Sequence, residues 1–252
     1  MKKRMLVPVL LGMVLACGLG QDAMAQDGWK FGIGTGFSTL DLYGDMAFAS
    51  SAGPLYFDVD LSNSDTSDLR DSAFGFGGFA AKGKWSILYK LGTMKLTDEE
   101  SGINAEWKKS QIEVLAGYSF LKTDKNSLAV LFGARYIDHD WDIEAATGGI
   151  PSTVSVDIDE GWTDGVVGLN HSWAFAEKWS WNSRADAAFG GSEGSYTVTT
   201  GASWQAFEHW SFYGNIYLNS FDYGEDSDSG KSDFYRYDVE ETGLSLGFLY
   251  TF

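Results

Sequence analysis

Residues 243 to 252 read G-L-S-L-G-F-L-Y-T-F. Leu244, Leu246, Phe248, Tyr250 and Phe252 share one parity; Ser245, Gly247 and Thr251 share the other, with Leu249 the exception. Side chains alternate faces along a β-strand, so this stretch is a strand with one greasy face and one small or polar face.

Working back, the same pattern recurs with a repeat. Trp173-Ala-Phe-Ala-Glu177-Lys178-Trp179 returns 31 residues later as Trp204-Gln-Ala-Phe-Glu208-His209-Trp210. Each unit is two tryptophans flanking a short polar turn, which suits an aromatic girdle at one membrane interface. The strands around them keep one greasy and one polar face. Trp179, Trp181, Ala185, Ala187 and Phe189 oppose Asn182, Arg184 and Asp186; Trp210, Phe212, Ile216 and Leu218 oppose Ser211, Tyr213, Asn215 and Asn219. The expected girdle is Trp85, Trp173, Trp179, Trp204, Trp210 and Phe252.

Further upstream, turns at 82–84 and 122–126 alternate with longer loops at 97–105, 145–153 and 222–233. The predicted strands are 29–42, 72–81, 85–96, 106–121, 127–141, 160–175, 179–190, 195–206, 210–223 and 234–252. Short turns at one end and longer acidic loops at the other are the pattern of an antiparallel, up-and-down transmembrane β-barrel. Ten strands is the expected count; eight, or twelve with Leu55–Leu61 in the wall, are its neighbours. Pro54 and Pro151 both fall in loops, as a strand register requires. Residues 43–71 read either as an external loop with its own short strand or as a segment folded into the lumen.

Lys2, Lys3 and Arg4 precede the apolar run 5–16, which is shorter than the roughly 20 residues of a spanning helix. With Ala23-Met24-Ala25 after it, residues 1–25 read as a cleavable signal peptide, leaving a single barrel domain over 26–252. Val14-Leu15-Ala16-Cys17 offers a lipoprotein signal as the rival reading. Cys17 is the chain's one cysteine and leaves with the expected signal peptide, so neither disulfides nor thiolate chemistry are expected of the mature chain. A formal net charge of −17 excludes nucleic acid as a partner, because the cations that contact phosphates are missing.

The strand Gly243–Phe252, ending in an aromatic, resembles the closing strand of bacterial outer-membrane β-barrels. That resemblance implies recognition by the β-barrel assembly machinery through Phe252. The order Trp162-Thr-Asp164-Gly165, Arg184-Ala-Asp186, Phe189-Gly190-Gly191 and Asp222-Tyr223 is similar to a family of uncharacterised Gram-negative outer-membrane barrels, small porin-like or OmpA-like proteins of unknown function. Asp58 and Asp60 match that family's early acidic strand. Tyr213-Gly214-Asn215 stands where the family has G-Y-R, which removes one expected lumenal arginine. The resemblance implies location and fold, with no established activity.

Enzymes of the outer membrane leave signatures that can be checked. Phospholipases and lipid A deacylases of that membrane carry His and Ser two apart, on one face; here His171 is followed directly by Ser172, on the opposite face. Omptin-like proteases use an Asp–His pair at the outer rim. Asp138-His139-Asp140 is the candidate, and reads as a solvated rim because His139 needs a partner such as Asp157 or Asp159 on the next strand. His209 reads as an exposed turn cation. Asp157, Asp159 and Glu160, and Glu225, Asp226 and Asp228, lack the spacing of a calcium loop and read as charged loops. No catalytic residue, metal ligand or cofactor is expected.

Parity places Lys30, Lys90, Glu113, Arg135, Arg184 and Asp186 toward the lumen, where charges must pair or meet water. They form either a salt-bridged plug or the lining of a narrow path, with the plug preferred. The expected protein is a monomeric outer-membrane barrel of structural or surface-interaction type, or a narrow pore for small solutes. Its expected partners are outer-membrane lipids and lipopolysaccharide. A lipid-active enzyme and a soluble lipocalin-like periplasmic barrel are the alternatives.

Overall fold

A computed structural model describes residues 28–98, 103–146, 153–224, 229–231 and 233–252. The expected signal peptide, its cleavage site after Ala25 and Cys17 lie outside the described residues, as do Glu225, Asp226 and Asp228. Among the described residues, twelve strands and one short helix follow in order. They are β1 (Lys30–Ser38), β2 (Asp41–Phe48), β3 (Leu55–Leu61), α1 (Asn63–Asp68), β4 (Arg70–Lys82), β5 (Trp85–Asp98) and β6 (Ile103–Lys122). β7 (Asn126–Ala146), β8 (Thr153–Ala176), β9 (Trp179–Gly190), β10 (Gly194–Gln205), β11 (Trp210–Tyr223) and β12 (Tyr235–Thr251) complete the chain.

The fold is all-β and antiparallel. Ten strands, β1 and β4 to β12, pair in sequence and close as a barrel when β1 meets β12, from Gly32↔Thr251 to Ser38↔Ser245. The ten strands of the sequence reading are therefore present. β2 and β3 form an additional hairpin. β2 runs on from β1 and pairs with the other half of β12, from Asp41↔Thr242 to Phe48↔Tyr235, while β3 pairs with β2.

Two expected boundaries change. The strand predicted over 29–42 breaks at Thr39 and Leu40. Thr39 bonds Leu244 twice, through its own N–H (2.9 Å) and through its hydroxyl, which accepts from the Leu244 N–H (2.9 Å). Tyr217 Oη donates to the Thr39 carbonyl at 2.6 Å, lying where a Cβ on Gly243 would sit 2.7 Å from it. A side chain at 243 would displace this phenol, so glycine is needed there. The strand predicted over 160–175 begins instead at Thr153, because β7 and β8 pair continuously from Asn126↔Trp173 to Ala146↔Thr153. Ala145, Ala146 and Thr153 of the expected loop 145–153 are thus strand; 147–152 lie outside the described residues.

Residues 43–71 resolve into β2, β3 and α1 beyond the long-loop side of β1. α1 starts with a capping box: the Ser62 N–H donates to Asp65 Oδ2 at 2.9 Å, and Ser62 Oγ accepts from the Asp65 N–H. It docks on the β1–β2 break, where Asn63 N–H donates to Asp41 Oδ1 at 2.7 Å and the buried Thr66 hydroxyl donates to the Leu40 carbonyl.

The barrel is greasy outside and layered inside. Ile33, Phe37, Ile87, Val114, Phe132 and Leu169 are exposed on the outer face. On the short-turn side of the middle lies an apolar layer, with Phe79, Leu88, Leu115 and Leu131 packed together, and beyond it buried polar groups such as the Ser119–Ser127 and Ser172–Asn182 pairs. Leu249, the exception in the closing strand, belongs to this inner cluster. Toward the long-loop end a second cluster holds Leu42, Phe48, Trp107, Trp162, Phe221 and Tyr237.

Candidate functional site: a ring of charge beneath an aromatic cup

The inward series along β6, read toward the long-loop end, is Leu115, Glu113, Gln111, Lys109 and Trp107. Along β7 it is Leu131, Gly133, Arg135, Ile137 and His139. Both pass from apolar through charged to aromatic.

The charged layer is a closed ring of four side chains. Arg135 donates Nε and Nη2 to Glu113 Oε2 at 2.9 and 2.7 Å, and Nη2 also to Asp186 Oδ1 at 2.7 Å. Arg184 donates Nε to Asp186 Oδ2 at 2.7 Å, and Nη1 and Nη2 to the two Glu113 oxygens at 2.7 and 2.8 Å. Strand register explains the meeting. Glu113 lies opposite Arg135, and Arg184 and Asp186 lie two apart on one face of β9. All four are buried, and two guanidinium groups against two carboxylates leave no net charge. A ring of this kind costs desolvation and regains it only through complete hydrogen bonding. Here every carboxylate oxygen accepts at least one bond, while Arg135 Nη1 is buried without a partner among the described residues.

Lys90 stands beside the ring, opposite Glu113 in the register, and donates to Gln111 Oε1 at 3.3 Å. Lys30 also faces inward and is buried, but it begins β1 at the short-turn end, away from the ring. The six tryptophan and phenylalanine positions expected in the girdle are all on the outer surface, and Trp179 stacks on Trp204 at 6.1 Å between centroids.

Above the ring is a second ion pair that parity reasoning did not single out. Lys109 binds Glu241, which also accepts from Tyr237 Oη at 2.9 Å and Asn219 Nδ2 at 3.3 Å. The Lys109 ammonium lies 4.2 Å from the centre of the Phe221 ring. A cavity of about 70 Å³ separates this pair from Lys90 and Gln111.

His139 corrects the sequence reading. It is not on a solvated rim but fully buried, with ring centroids of Tyr237, Trp162 and Trp107 at 4.5, 5.1 and 5.5 Å. Its Nδ1 bonds Tyr235 Oη at 2.6 Å, and Tyr235 also accepts from Trp141 Nε1 at 3.3 Å. Asp159 is exposed, and Glu160, opposite His139, accepts instead from Tyr223 Oη at 2.9 Å. No Asp–His pair forms there. His171 is half-buried on the outer side, Ser172 is buried inside and donates to Asn182, and His209 is exposed. Among the described residues no three His, Cys, Asp or Glu side chains gather as a metal site.

Of the residues quoted for the family resemblance, Arg184 and Asp186 belong to the ring, while Trp162, Asp164, Gly190, Gly191 and Tyr223 meet toward the long-loop end. Asp164 is fully buried and accepts from the Gly191 N–H (3.0 Å), the Ser192 N–H (2.9 Å) and the Ser192 hydroxyl (2.8 Å). Gly190 has φ +135°, and a Cβ on Gly191 would meet the Thr163 backbone at 2.8 Å, so the turn needs both glycines. Trp162 stacks on Tyr223 with centroids 4.3 Å apart. These residues build a turn and a stacked pair.

No protein-family model matches the chain, and no curated protein matches it. Among solved structures it is similar to the outer membrane protease OmpT from Escherichia coli, at 12% identity and TM-score 0.48, covering 90% of this chain and 98% of that one. It is similar to a major outer membrane protein from Thermus thermophilus, at 12% identity and TM-score 0.43, covering 89% and 100%. A third is the Pseudomonas putida toluene transporter TodX, at 8% identity and TM-score 0.44, covering 96% and 94%. Identities this low carry no residue roles across.

Proposed function

We propose that this chain is an integral outer-membrane β-barrel, monomeric and without catalytic machinery, whose lumen is sealed and whose working surface is the outward-facing end. The observation that carries the reading is the closed ring of Arg135, Glu113, Arg184 and Asp186. Its groups bond one another across the barrel interior and bring no net charge to the pathway. The exposed apolar belt supports placement in a bilayer, since water-facing barrels turn such residues inward. The short-turn end, which holds both ends of the barrel, then faces the periplasm.

On this reading lipids and lipopolysaccharide surround the wall, and the assembly machinery engages the closing strand through Phe252. The test is single-channel recording of refolded protein in a planar bilayer. Silence from correctly folded protein is expected, and discrete steps from the unaltered chain would replace the sealed barrel with a pore.

A further inference from the structure

Above α1 the barrel wall is split. β3 is paired with β2 along one edge, and among the described residues its other edge has no strand partner. β5 and β6 stay paired with each other up to Asp98↔Ala105 on the far side of the gap. Between them opens a cavity of about 450 Å³, within the range of small-molecule sites.

Its walls are apolar and aromatic. Leu42, Met46 and Phe48 come from β2, Val59 from β3, and Trp107 and Trp141 from the opposite wall. The two indoles stack at 5.1 Å and 14°, and Phe48 meets Trp141 edge-on at 4.9 Å. Phe57 lies opposite Met46 and points to the same side, yet it is 42% exposed. Apolar surface is thus held open to solvent at the mouth.

The mouth is acidic. Asp58 and Asp60, which alternate with the inward Phe57 and Val59, flank the gap on the outer face of β3, and Asp98 and Glu106 border it from the β5–β6 side. Lys95 pairs with Glu106 at 2.7 Å; Asp58, Asp60 and Asp98 make no ion pair among the described residues. A phosphate or carboxylate ligand would meet like charge here. An apolar ligand gains only burial. A cation with an apolar body gains burial, the carboxylates at the mouth and the indole faces together.

We propose that this cup binds a small hydrophobic cation, an aryl or alkyl body bearing an ammonium group, admitted from outside through the gap between β3 and the β5–β6 hairpin. The proposal rests on the surface-interaction reading but is separately testable: bilayer recordings decide the sealed lumen whether or not the cup takes a cation.

The experiment uses the refolded barrel in lipid nanodiscs and three probes of nearly one shape: phenyltrimethylammonium, its neutral isostere tert-butylbenzene, and benzenesulfonate. Binding is followed by ligand-observed NMR. The ammonium is expected to bind at least about tenfold more tightly than the isostere, and the sulfonate not to bind. Asp58→Asn with Asp60→Asn, both exposed and tolerant of change, should lower ammonium affinity about tenfold and leave the isostere unaffected. Val59→Trp, confirmed folded by heat-modifiable gel mobility, should abolish binding of both. Equal or tighter binding of the isostere or the sulfonate would overturn the proposal. So would full ammonium binding by the Val59→Trp variant or by the double asparagine variant.

Discussion

Asp164 holds Ser192 twice, by the backbone N–H at 2.9 Å and the hydroxyl at 2.8 Å, although the two residues belong to different hairpins. A buried carboxylate with three donors acts as a fixed post around which the 190–193 turn is folded. Asp164→Ala leaves the Ser192 N–H and hydroxyl without that acceptor, at a cost of about 2–3 kcal/mol, while the Gly191 N–H keeps the Thr163 carbonyl at 3.0 Å. Urea unfolding in detergent, followed by tryptophan emission, should show a lowered midpoint with unchanged slope. Asp164→Asn should recover part of the loss.

Arg184 bridges both carboxylates of the ring. Its removal in Arg184→Ala leaves Arg135 alone between Glu113 and Asp186, with one buried negative charge uncompensated, which costs about 3–5 kcal/mol. Replacing the pair together, as Arg184→Met with Asp186→Leu, removes an acid and a base at once and should cost markedly less. The comparison is read from the unfolding midpoints of the two variants. Equal losses would mean that the ring contributes bulk and not charge pairing.

On the proposal of a sealed lumen, the same ring sets the electrical behaviour. Glu113→Ala with Arg184→Ala deletes two of its four side chains and opens space in the charged layer. Discrete conductance steps are expected from this double variant in planar bilayers where the unaltered chain is silent. Continued silence would place the seal in the apolar layer of Phe79, Leu88, Leu115 and Leu131.

Asp65, exposed in the first turn of α1, accepts from Ser62, and these hydrogen bonds hold its carboxyl below the ordinary aspartate value of 3.8. A depressed folded-state value means that the cap is fully present above that pH and is lost as pH falls below it. Hydrogen exchange at the Thr66 and Leu69 amides, which bond the Ser62 and Asp65 carbonyls, should therefore be constant from pH 7 to about 4.5 after correction for intrinsic rates. Protection should fall below pH 3.8, and Ser62→Ala should show reduced protection throughout.

Much of this architecture was legible because the wall of a β-barrel enforces period two. Glu113, Arg135, Arg184 and Asp186 could be turned inward from parity alone, and the two Trp-x5-Trp units marked short turns. What parity does not supply is height. His139 and Trp107 lie on strands that continue past the greasy belt, where an acidic neighbourhood resembles a wet rim. The β2–β3 hairpin and β12 cover that rim, and the inward positions become a core. The Thr39–Leu40 break was equally hidden, since both residues suit a strand and the cause is remote: Tyr217, Leu244 and the helix that docks on Leu40. Lys109 and Glu241, far apart in sequence, meet only when the barrel closes.

The seam between β1 and β12 also governs how the chain reaches this form. Ser38 lies against Ser245, and the Leu244 N–H bonds Thr39 across 205 positions, so the contacts that shut the cylinder are among the most distant along the sequence. High contact order slows folding, because loop-closure entropy is lost before these contacts form. β12 must also find two partners end to end, β1 and then β2. Hairpins such as β6–β7 and β10–β11 can zip locally, while the last strand waits for the first. An open-edged intermediate is the species a cell must shelter, and its lifetime, more than the final stability, sets the yield of closed barrel.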